Sequence, residues 1–328
     1  MFLRPKNKIS SFEDRFPVLF EIVPPEKGNK DKRLKQHSEY LEKLFDQTKV
    51  DALNIPEIQP ESKKGDKGKR RQPHKERIQP RDYVKALREH VDTDYVINRV
   101  CVKHAPKDHE KWLLETHDEF DIKNIIFVGG ESSGQDYPGP SVSESNRFVK
   151  RFLNRGRRKF SDAGIEPKNL KVGNITIPTR RRKDFDEPER MLHKREAGAD
   201  FFTTQIVYDK ESPISLLKDF SELLEEEEYG PPMIFWSFSP ISSKKDVDFL
   251  RWLGVYIPEE TEEYILDSDD PVATSLDWCF QIWEEMVEVN KNLSNPIPMG
   301  INISIMGLRN FENGIKLTQE LNSIDLPT

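Results

Sequence analysis

Eight short apolar runs alternate with longer amphipathic segments along this chain, and that alternation is the strongest constraint on its fold. Several runs are apolar at successive positions, as in Ile125-Ile126-Phe127-Val128, which is typical of parallel strands covered on both faces. Eight strand–helix units in succession predict an α/β protein built as a closed (β/α)8 barrel, the TIM-barrel fold. The predicted strands are Val18–Val23, Ala52–Ile55, Tyr95–Val102, Asn124–Val128, Leu170–Ile177, Phe201–Val207, Met233–Phe238 and Gly300–Ile305.

Amphipathic helices are predicted between these strands. They are Lys30–Gln47, Pro80–His90, Asp108–Phe120, Ser141–Ala163, Pro188–Ala197, Ser212–Glu226, Lys244–Leu253 and Asn310–Leu321. Residues 257–295 interrupt the rhythm with extra helical sequence, including Pro271–Asn290, so we expect a helical insertion before the last strand of a single barrel domain spanning residues 1–328. An open doubly wound sheet would normally carry a Gly-rich turn after its first strand, where this chain has Pro24-Pro25-Glu26.

The composition narrows the class of protein. With 35% hydrophobic and 33% charged residues in 328, the chain can bury a core and is not expected to be disordered. Its apolar runs are far shorter than the roughly 18 residues of a membrane span, and its first residues lack the apolar region of a secretion signal. Two cysteines, Cys101 and Cys279, make no disulfide framework, so a cytoplasmic location is expected.

The net charge predicts no particular binding partner, but two local clusters of basic residues could bind an anion. There are 51 Lys and Arg against 58 Asp and Glu, a formal net charge of −7, so no general attraction to nucleic acid is expected. Two basic runs follow predicted strands: one in the loop 61–79, and one at 180–183. Basic runs of this kind usually lie in solvated loops. The functional alternative is that they form a clamp for phosphates or for a polycarboxylate tail. RNA binding is a third, although aromatic residues are not interleaved with these charges.

Chemistry in a (β/α)8 barrel is expected on the loops that follow the strands, because those loops meet at one open mouth. Glu21 lies inside the first apolar run, near that mouth. Desolvation among apolar neighbours should raise the pKa of its carboxyl, which would keep a general acid protonated near neutral pH. A structural Glu paired inside the barrel is the alternative.

The loop after the fourth strand begins Gly129-Gly130-Glu131. Glycines there would let a ligand approach the backbone, whose amides could contact a phosphate or a ring carbonyl. The segment matches neither a G-x-G-x-x-G turn nor a P-loop, so an ordinary turn is the alternative. None of the seven histidines has a metal-binding spacing such as H-E-x-x-H, and no catalytic metal is expected.

Segments along nearly the whole chain resemble motifs of the methylenetetrahydrofolate reductase family. Phe20-Glu21-Ile22-Val23-Pro24-Pro25 resembles the family's first-strand motif F-E-[FIV]-x-P-P. Residues 194–205, KREAGADFFTTQ, are similar to its K-x-[DE]-A-G-A-[ND]…T-Q segment, which is the most specific match. Residues 254–258, GVYIP, resemble a family V-x-I-P, and Leu308-Arg309 falls where the family has L-x-R at the end of the last strand.

The resemblance implies a (β/α)8 barrel with flavin adenine dinucleotide (FAD) at the carboxyl ends of the strands. NAD(P)H would reduce the flavin, and the flavin would pass hydride to 5,10-methylenetetrahydrofolate to give the 5-methyl form, a step of one-carbon metabolism and methionine biosynthesis. The partners implied are a folate or pterin and no membrane. A homo-oligomer is compatible with the sequence.

The resemblance also implies roles for individual residues. Glu21 corresponds to the general acid that protonates the departing folate nitrogen, and Glu131 takes the place of an Asp near the flavin ring and folate. Gln205 corresponds to a folate-binding amide, and Arg309 to a contact with folate or nicotinamide nucleotide. The positions that correspond to flavin contacts are Arg99, Gly129, Gly130, Glu131, Asn174, Glu187 and Lys194.

Several of these positions depart from the family pattern. Gly129 stands where the family has Arg, Arg99 occupies the usual His of the third strand, and Leu53-Asn54-Ile55-Pro56 replaces V-T-Y-G in the second. The presumed catalytic acid and folate amide are kept while the flavin contacts are rewritten. Two alternatives therefore stay open: a flavin-independent reductase with direct hydride transfer from NAD(P)H, and a non-catalytic barrel that binds a folate or nucleotide.

Overall fold

Eight parallel strands close into a barrel in a computed structural model of the chain, which describes residues 15–60, 68–69, 73–130, 136–153, 169–180 and 186–324. The strands follow one another in chain order around the barrel, and β8 pairs with β1 to close it. Their bounds are β1 Val18–Glu21, β2 Ala52–Ile55, β3 Asp94–Val100, β4 Asn124–Val128, β5 Lys171–Thr176, β6 Phe201–Ile206, β7 Met233–Phe238 and β8 Met299–Ser304. The predicted (β/α)8 barrel is thus confirmed.

Ten α-helices in the described ranges surround the barrel. They are α1 Lys30–Gln47, α2 Pro80–Leu87, α3 Pro106–Asp118, α4 Val142–Phe148, α5 Glu187–Ala197, α6 Glu211–Glu226, α7 Lys244–Trp252, α8 Glu259–Leu266, α9 Pro271–Lys291 and α10 Phe311–Leu321. The extra helices predicted before the last strand are α8 and α9, and α9 packs against α6 and α10. Trp283 of α9 lies edge-on to Phe238 of β7, with ring centroids 6.0 Å apart.

Some predicted boundaries differ from the structure for local reasons. The first strand ends at Glu21 rather than Val23, shortly before Pro24 and Pro25, whose nitrogens cannot donate a ladder hydrogen bond. The third ends at Val100 because Cys101–Lys103 tightens into a 3-10 helix. The helix predicted over Ser141–Ala163 begins as α4 and continues as a π-helical segment, Val149–Leu153, and its remainder lies outside the described residues.

Close packing fills the lower interior of the barrel. Phe201 and Phe235 meet edge-on there, with ring centroids 5.9 Å apart. Each ring occupies the space that a side chain on the neighbouring strand would take: a Cβ at Gly173 of β5 would clash with the Phe201 ring, and one at Gly300 of β8 would lie 2.6 Å from the Phe235 ring. The large and small residues therefore complement each other, and the barrel is a packed core rather than a pore at this level.

Candidate functional site

The barrel interior has two levels of opposite chemistry. The lower level is an apolar cluster made of Leu19, Ala52, Val96, Ile126, Phe201 and Phe235. Two residues further along six of the strands, toward the carboxyl ends, polar side chains face inward instead, since side chains alternate with a period of two; β4 and β5 contribute Val128 and Ile175 at this level. This polar layer consists of Glu21, Asn54, Asn98, Thr203, Ser237, Asn302 and Ser304. It forms the floor of the mouth.

Glu21 is the acidic member of the polar layer. It pairs in register with Asn54 of β2 on one side and with Ser304 of β8 on the other. Asn54 Nδ2 donates to Glu21 Oε2 at 3.3 Å. Loss of water around the carboxyl, partly opposed by a hydrogen bond with Ser304, raises the pKa of Glu21 from 4.5 to about 7. The carboxyl is therefore about half protonated at pH 7, and its pKa is raised in the direction predicted from the sequence.

A chain of hydrogen bonds extends from Glu21 across the floor. Asn54 Nδ2 also donates to Asn302 Oδ1 at 3.2 Å, and Asn302 Nδ2 donates to Ser237 Oγ at 3.0 Å. Ser237 Oγ in turn donates to the backbone oxygen of Thr204 at 2.6 Å. Four strands, β1, β2, β8 and β7, are linked through these side chains, which fixes the orientation of each amide.

Three buried oxygen atoms of the polar layer have no hydrogen-bond partner in the described part of the chain: Asn54 Oδ1, Asn98 Oδ1 and Thr203 Oγ1. All three residues line the same cavity and are at most 8% exposed. A buried polar atom without a partner costs about 1–3 kcal/mol. The two amide oxygens can only accept hydrogen bonds, so the floor is complementary to a ligand that offers N–H or O–H donors.

The main cavity rises from this floor and measures about 600 Å³. Four cationic side chains of the described ranges line it: Lys103, Arg180, Arg190 and Lys194. Burial lowers the pKa of Lys194 to about 8, although Glu187 nearby opposes that change, and its Nζ donates to the Ile175 backbone oxygen at 2.7 Å. The cavity therefore combines, at its floor, an acid whose pKa is raised to about 7 with positive charge on its walls.

A buried carboxylate holds two of these cations in place. Glu187, at the start of α5, is 1% exposed and lies 3.0 Å from Arg180 NH1 and 3.3 Å from Arg190 Nε. It also accepts hydrogen bonds from Thr176 Oγ1 at 3.0 Å and from the Ile177 backbone nitrogen at 3.1 Å. Glu187 is thus a positioning residue behind the cavity wall.

A second cavity of about 550 Å³ adjoins the main one. It lies between the ends of β1 and β8 and the helices α1 and α7, and we call it the side cavity. Glu21 lines both cavities and so stands between them. Arg309, in the short 3-10 helix after β8, lines the side cavity and forms an ion pair with the fully buried Asp246 of α7.

The structure brings together part of the site predicted from the sequence. The main cavity is lined by Glu21, Gly129, Gly130, Lys194 and Gln205, and Gln205 Nε2 is 3.5 Å from the Leu253 backbone oxygen. Arg309 belongs to the side cavity instead. Glu131 lies outside the described residues, as do Arg181, Arg182 and most of the basic loop at 61–79.

The side chains of Arg99 and Asn174 do not reach either cavity. Asn98 of β3 faces the interior of the barrel, so Arg99, the next residue, points to the helix layer. There the Arg99 guanidinium pairs with Glu57 at 3.2 Å and lies over the Trp112 ring. Asn174 of β5 likewise points outward and exchanges hydrogen bonds with Asn146 of α4, the shorter of which is 2.8 Å. The contacts with a bound ligand expected for these two residues are therefore not supported by the direction of their side chains.

Sequence reasoning missed Asn98, Asn302, Ser237 and Thr203 as site residues. Each is a polar residue inside a strand, two positions after an inward-facing apolar residue or glycine. That alternation was a usable signal, since polar residues at the same level of several strands must meet in a closed barrel.

Within the described ranges, no three or more metal-ligating side chains converge, and no helix is long and apolar enough to span a membrane.

Comparison with known proteins identifies similar folds. No protein-family model matches the sequence, and no curated protein matches it. Among solved structures, an uncharacterized protein from Clostridium thermocellum that binds two copies of 5-methyl-5,6,7,8-tetrahydrofolic acid is 22% identical, with a TM-score of 0.73, over 94% of this chain and 96% of that one. At that identity the likeness shows the shared fold.

Two weaker likenesses are to enzymes. The spore cortex-lytic enzyme SleL from Bacillus cereus is 13% identical, with a TM-score of 0.48, over 94% of this chain and 75% of that one. A GH113 β-1,4-mannanase is 10% identical, with a TM-score of 0.47, over 95% of this chain and all of that one. Neither is similar enough to support a statement about the chemistry of this chain.

Proposed function

We propose that this barrel binds a reduced folate in its main cavity, with the pterin on the polar layer, and that it reduces the 5,10-methylene form to the 5-methyl form. The observation that carries the proposal is the carboxyl of Glu21, whose pKa of about 7 leaves about half of it protonated at pH 7, beside buried amide oxygens that have no partner among the described residues. Further support comes from the Clostridium thermocellum protein, which has the same barrel and binds two copies of 5-methyltetrahydrofolate.

The polar layer matches the donor-rich edge of a reduced pterin. That ring system carries an amino group and ring N–H groups on one edge, while Asn54 Oδ1 and Asn98 Oδ1 are acceptors without partners. Hydrogen bonds from the ligand would remove the cost of leaving these atoms unsatisfied, which is about 1–3 kcal/mol for each. Asn54 is already held by Glu21 and Asn302, so its oxygen needs little reordering to bind.

The cationic wall suits the other end of a folate. A folate ends in a glutamate whose carboxylates are negative at neutral pH, and the cavity wall carries Lys103, Arg180, Arg190 and Lys194. Arginine binds a carboxylate with two parallel hydrogen bonds when its guanidinium is held in place, as Glu187 holds Arg180. A pterin on the floor and a tail along the wall would therefore satisfy both ends of the ligand.

Glu21 would supply the proton for the reaction. In 5,10-methylenetetrahydrofolate one carbon bridges N5 and N10. Proton transfer from Glu21 to N10 would break the bond between N10 and that carbon and leave an iminium at N5. A hydride from NAD(P)H would then add to the same carbon to give the 5-methyl product and NAD(P)⁺, and Glu21 would recover its proton from solvent. General acid catalysis of this kind typically contributes about 100-fold or more to the rate.

The described residues fit a flavin poorly. Of the side chains that the family resemblance implies for flavin binding, Arg99 and Asn174 point to the helix layer, and Glu187 is buried between Arg180 and Arg190. Of the implied flavin positions that the structure describes, Lys194, Gly129 and Gly130 line the cavity. We therefore favour the flavin-independent reaction, with NAD(P)H as the hydride donor, and derive no step through FAD.

Binding without turnover is the second candidate. Glu21 is the only acidic side chain among the described residues that line the main cavity, and as a neutral carboxyl it could simply donate a hydrogen bond to a bound pterin. A carrier or sensor of 5-methyltetrahydrofolate would need nothing more. The two candidates share the binding site and differ in whether Glu21 gives up its proton.

Two assays on purified protein test the proposal. Calorimetric titration with 5-methyltetrahydrofolate measures binding, and loss of reduced-nicotinamide absorbance with 5,10-methylenetetrahydrofolate measures turnover. Glu21→Gln should keep affinity within a few-fold and lose about 100-fold or more in turnover. Glu42→Gln, an exposed change on α1, should match wild type in both assays.

The outcomes separate the candidates. Turnover that needs Glu21 in a colourless protein supports the flavin-independent reductase, and turnover only in a yellow protein supports the flavoenzyme. Tight binding with no oxidation of NADH or NADPH leaves the binding protein. Failure to bind any reduced folate would refute the proposal as a whole.

A further inference from the structure

The side cavity is built by segments that are distant in sequence. The chain after β2 returns along the end of β1, where Ile78 N donates to Pro25 O at 3.0 Å and Arg77 pairs antiparallel with Glu26. This return brings Arg77 to the cavity, and its NH1 donates to the Pro24 backbone oxygen at 2.7 Å. Arg33 reaches the same cavity from α1. A cavity of about 550 Å³ is within the usual range for a small-molecule site.

Positive charge dominates this cavity. Among the described residues, three arginines line it, Arg33, Arg77 and Arg309, against two carboxyls, Glu21 and Glu26. Arg309 is already paired with the buried Asp246, so Arg33 and Arg77 are the cations that would meet a ligand. Glu26 is engaged by Lys75, with 3.2 Å between Oε2 and Nζ, and the raised pKa of Glu21, about 7, leaves only about half of that charge at pH 7. The lining therefore favours an anion.

His37 adds an oriented neutral donor. It is 4% exposed, lines the cavity, and lies with its Nδ1 2.5 Å from the hydroxyl oxygen of Tyr83. Burial and the charges of Arg33 and Arg77 lower the pKa of His37 to about 4, so the ring is neutral at pH 7. Burial keeps the Tyr83 hydroxyl protonated by raising its pKa well above the usual value, and we assign it as the donor to Nδ1. The proton of the imidazole then resides on Nε2, which can donate to an anion.

An aromatic and aliphatic wall faces these donors. Trp252 and Phe249 of α7 stack, with ring centroids 5.9 Å apart and planes 10° from parallel, and both line the cavity. Met306 and Ile305, which follow β8, line it as well. Such a wall is suited to the face of a planar ring, while the cationic side is suited to a charged group attached to that ring.

We propose that the side cavity is a second ligand site, which binds a planar heterocycle bearing an anionic tail independently of the main cavity. The ring lies against Trp252 and Phe249, and the anionic group lies among Arg33, Arg77 and His37. A carboxylate tail, as in a second folate, and a phosphate tail, as in a nucleotide, share this chemistry. The site goes beyond the proposed function because it does not depend on what the main cavity binds.

Calorimetric titration of the full chain tests the second site with two probes, 5-methyltetrahydrofolate for a carboxylate tail and adenosine monophosphate for a phosphate tail. Arg33→Gln removes a cation from the exposed face of α1 and should not disturb folding. Lys35→Gln is the matched control, because it removes the same charge from an exposed position of α1 that does not line the cavity. Arg33→Lys restores the charge.

At least one probe should bind at the side cavity of the wild type, with affinity about tenfold lower in Arg33→Gln, which corresponds to the loss of one charge-assisted hydrogen bond. Lys35→Gln should equal wild type, and Arg33→Lys should recover most of the affinity. Preference for one probe identifies the tail. Equal affinities in Arg33→Gln and Lys35→Gln, or no binding of either probe beyond what the main cavity accounts for, would overturn the proposal.

Failure here is distinguishable from failure of the proposed function. Substitution of Asn98, which lines only the main cavity, should weaken folate binding there and leave the Arg33-dependent site unchanged. A protein that binds adenosine monophosphate in an Arg33-dependent way but never binds a folate would retain the second site and lose the proposed function.

Discussion

Asn54 donates a hydrogen bond to Glu21 across the first two strands, with 3.3 Å between Asn54 Nδ2 and Glu21 Oε2, while its own Oδ1 has no partner in the described part of the chain. One end of the Asn54 amide therefore holds Glu21, and the other end is an acceptor that a ligand can use. Because Glu21 lines both cavities, its protonation state affects whatever binds on either side.

The pKa of Glu21 predicts how stability depends on pH. The folded-state value of about 7 is above the ordinary 4.5, so the stabilising contribution of the protonated carboxyl is fully present below pH 4.5 and is lost as the pH rises through 7. Glu21→Gln removes this dependence. We expect the free energy of unfolding of the variant, relative to wild type, to increase by up to about 3 kcal/mol between pH 4 and pH 8. Urea unfolding across that range measures it, and a constant difference would contradict the assignment.

Asn98→Val should stabilise the protein and impair binding. The change removes a buried oxygen without a partner, so we expect the free energy of unfolding to rise by about 1 kcal/mol. Affinity for 5-methyltetrahydrofolate should fall at least tenfold, because the pterin loses an acceptor. Ile97→Val, on the outward face of the same strand, is the control and should leave affinity unchanged. Unchanged affinity in Asn98→Val would exclude that amide from the site.

The sequence predicts those features of the structure that are determined within a single segment of the chain. The bounds of Ala52–Ile55, Asn124–Val128, Met233–Phe238 and Lys30–Gln47 match the prediction because each pattern lies within one segment. The network of Asn54, Asn302 and Ser237 was not predicted, since its members are brought together only when the barrel closes.

Residues taken from the family motifs show the same limit. Glu21, Lys194 and Gln205 do line the main cavity, because they have the right position and the right side of their elements. Arg99 and Asn174 lie at the same level along their strands as the cavity residues, but their side chains point out of the barrel. There they contact Glu57 and Asn146. Motif spacing fixes the level, and the alternation of side chains along the strand decides the face.

Lys194 predicts a loss of affinity for anions in mildly alkaline solution. Its pKa is lowered to about 8, so the positive charge is lost as the pH rises through that value. Binding of 5-methyltetrahydrofolate should weaken several-fold between pH 7 and pH 9, and the anionic ligand should shift the midpoint upward. In Lys194→Met the affinity should be lower at pH 7 and the Lys194-dependent decrease should be absent. Calorimetry at several pH values measures both, and identical pH profiles would rule Lys194 out.

Substitution of Glu187 should lower both the stability of the protein and its affinity for the folate tail. Glu187→Gln leaves Arg180 and Arg190 beside an uncharged amide; because these two side chains are 25% and 31% exposed, the cost is expected to be about 2–3 kcal/mol, below that of a fully buried pair. The free energy of unfolding should fall by about that amount, and affinity for the folate tail should fall with it. Glu189→Gln, an exposed change two residues along α5 that weakens only its capping box, should cost about 1 kcal/mol or less. Similar losses in the two variants would contradict the positioning role of Glu187.

The most direct test of the central claim is the electron density of crystals grown with 5-methyltetrahydrofolate. The account predicts a pterin ring on the polar layer, within hydrogen-bonding distance of Glu21 and of the Asn54 and Asn98 amide oxygens, with its glutamate along the wall of Lys194 and Arg180. Density that leaves the polar layer without ligand, or that seats the pterin with its ring away from Glu21, would contradict it.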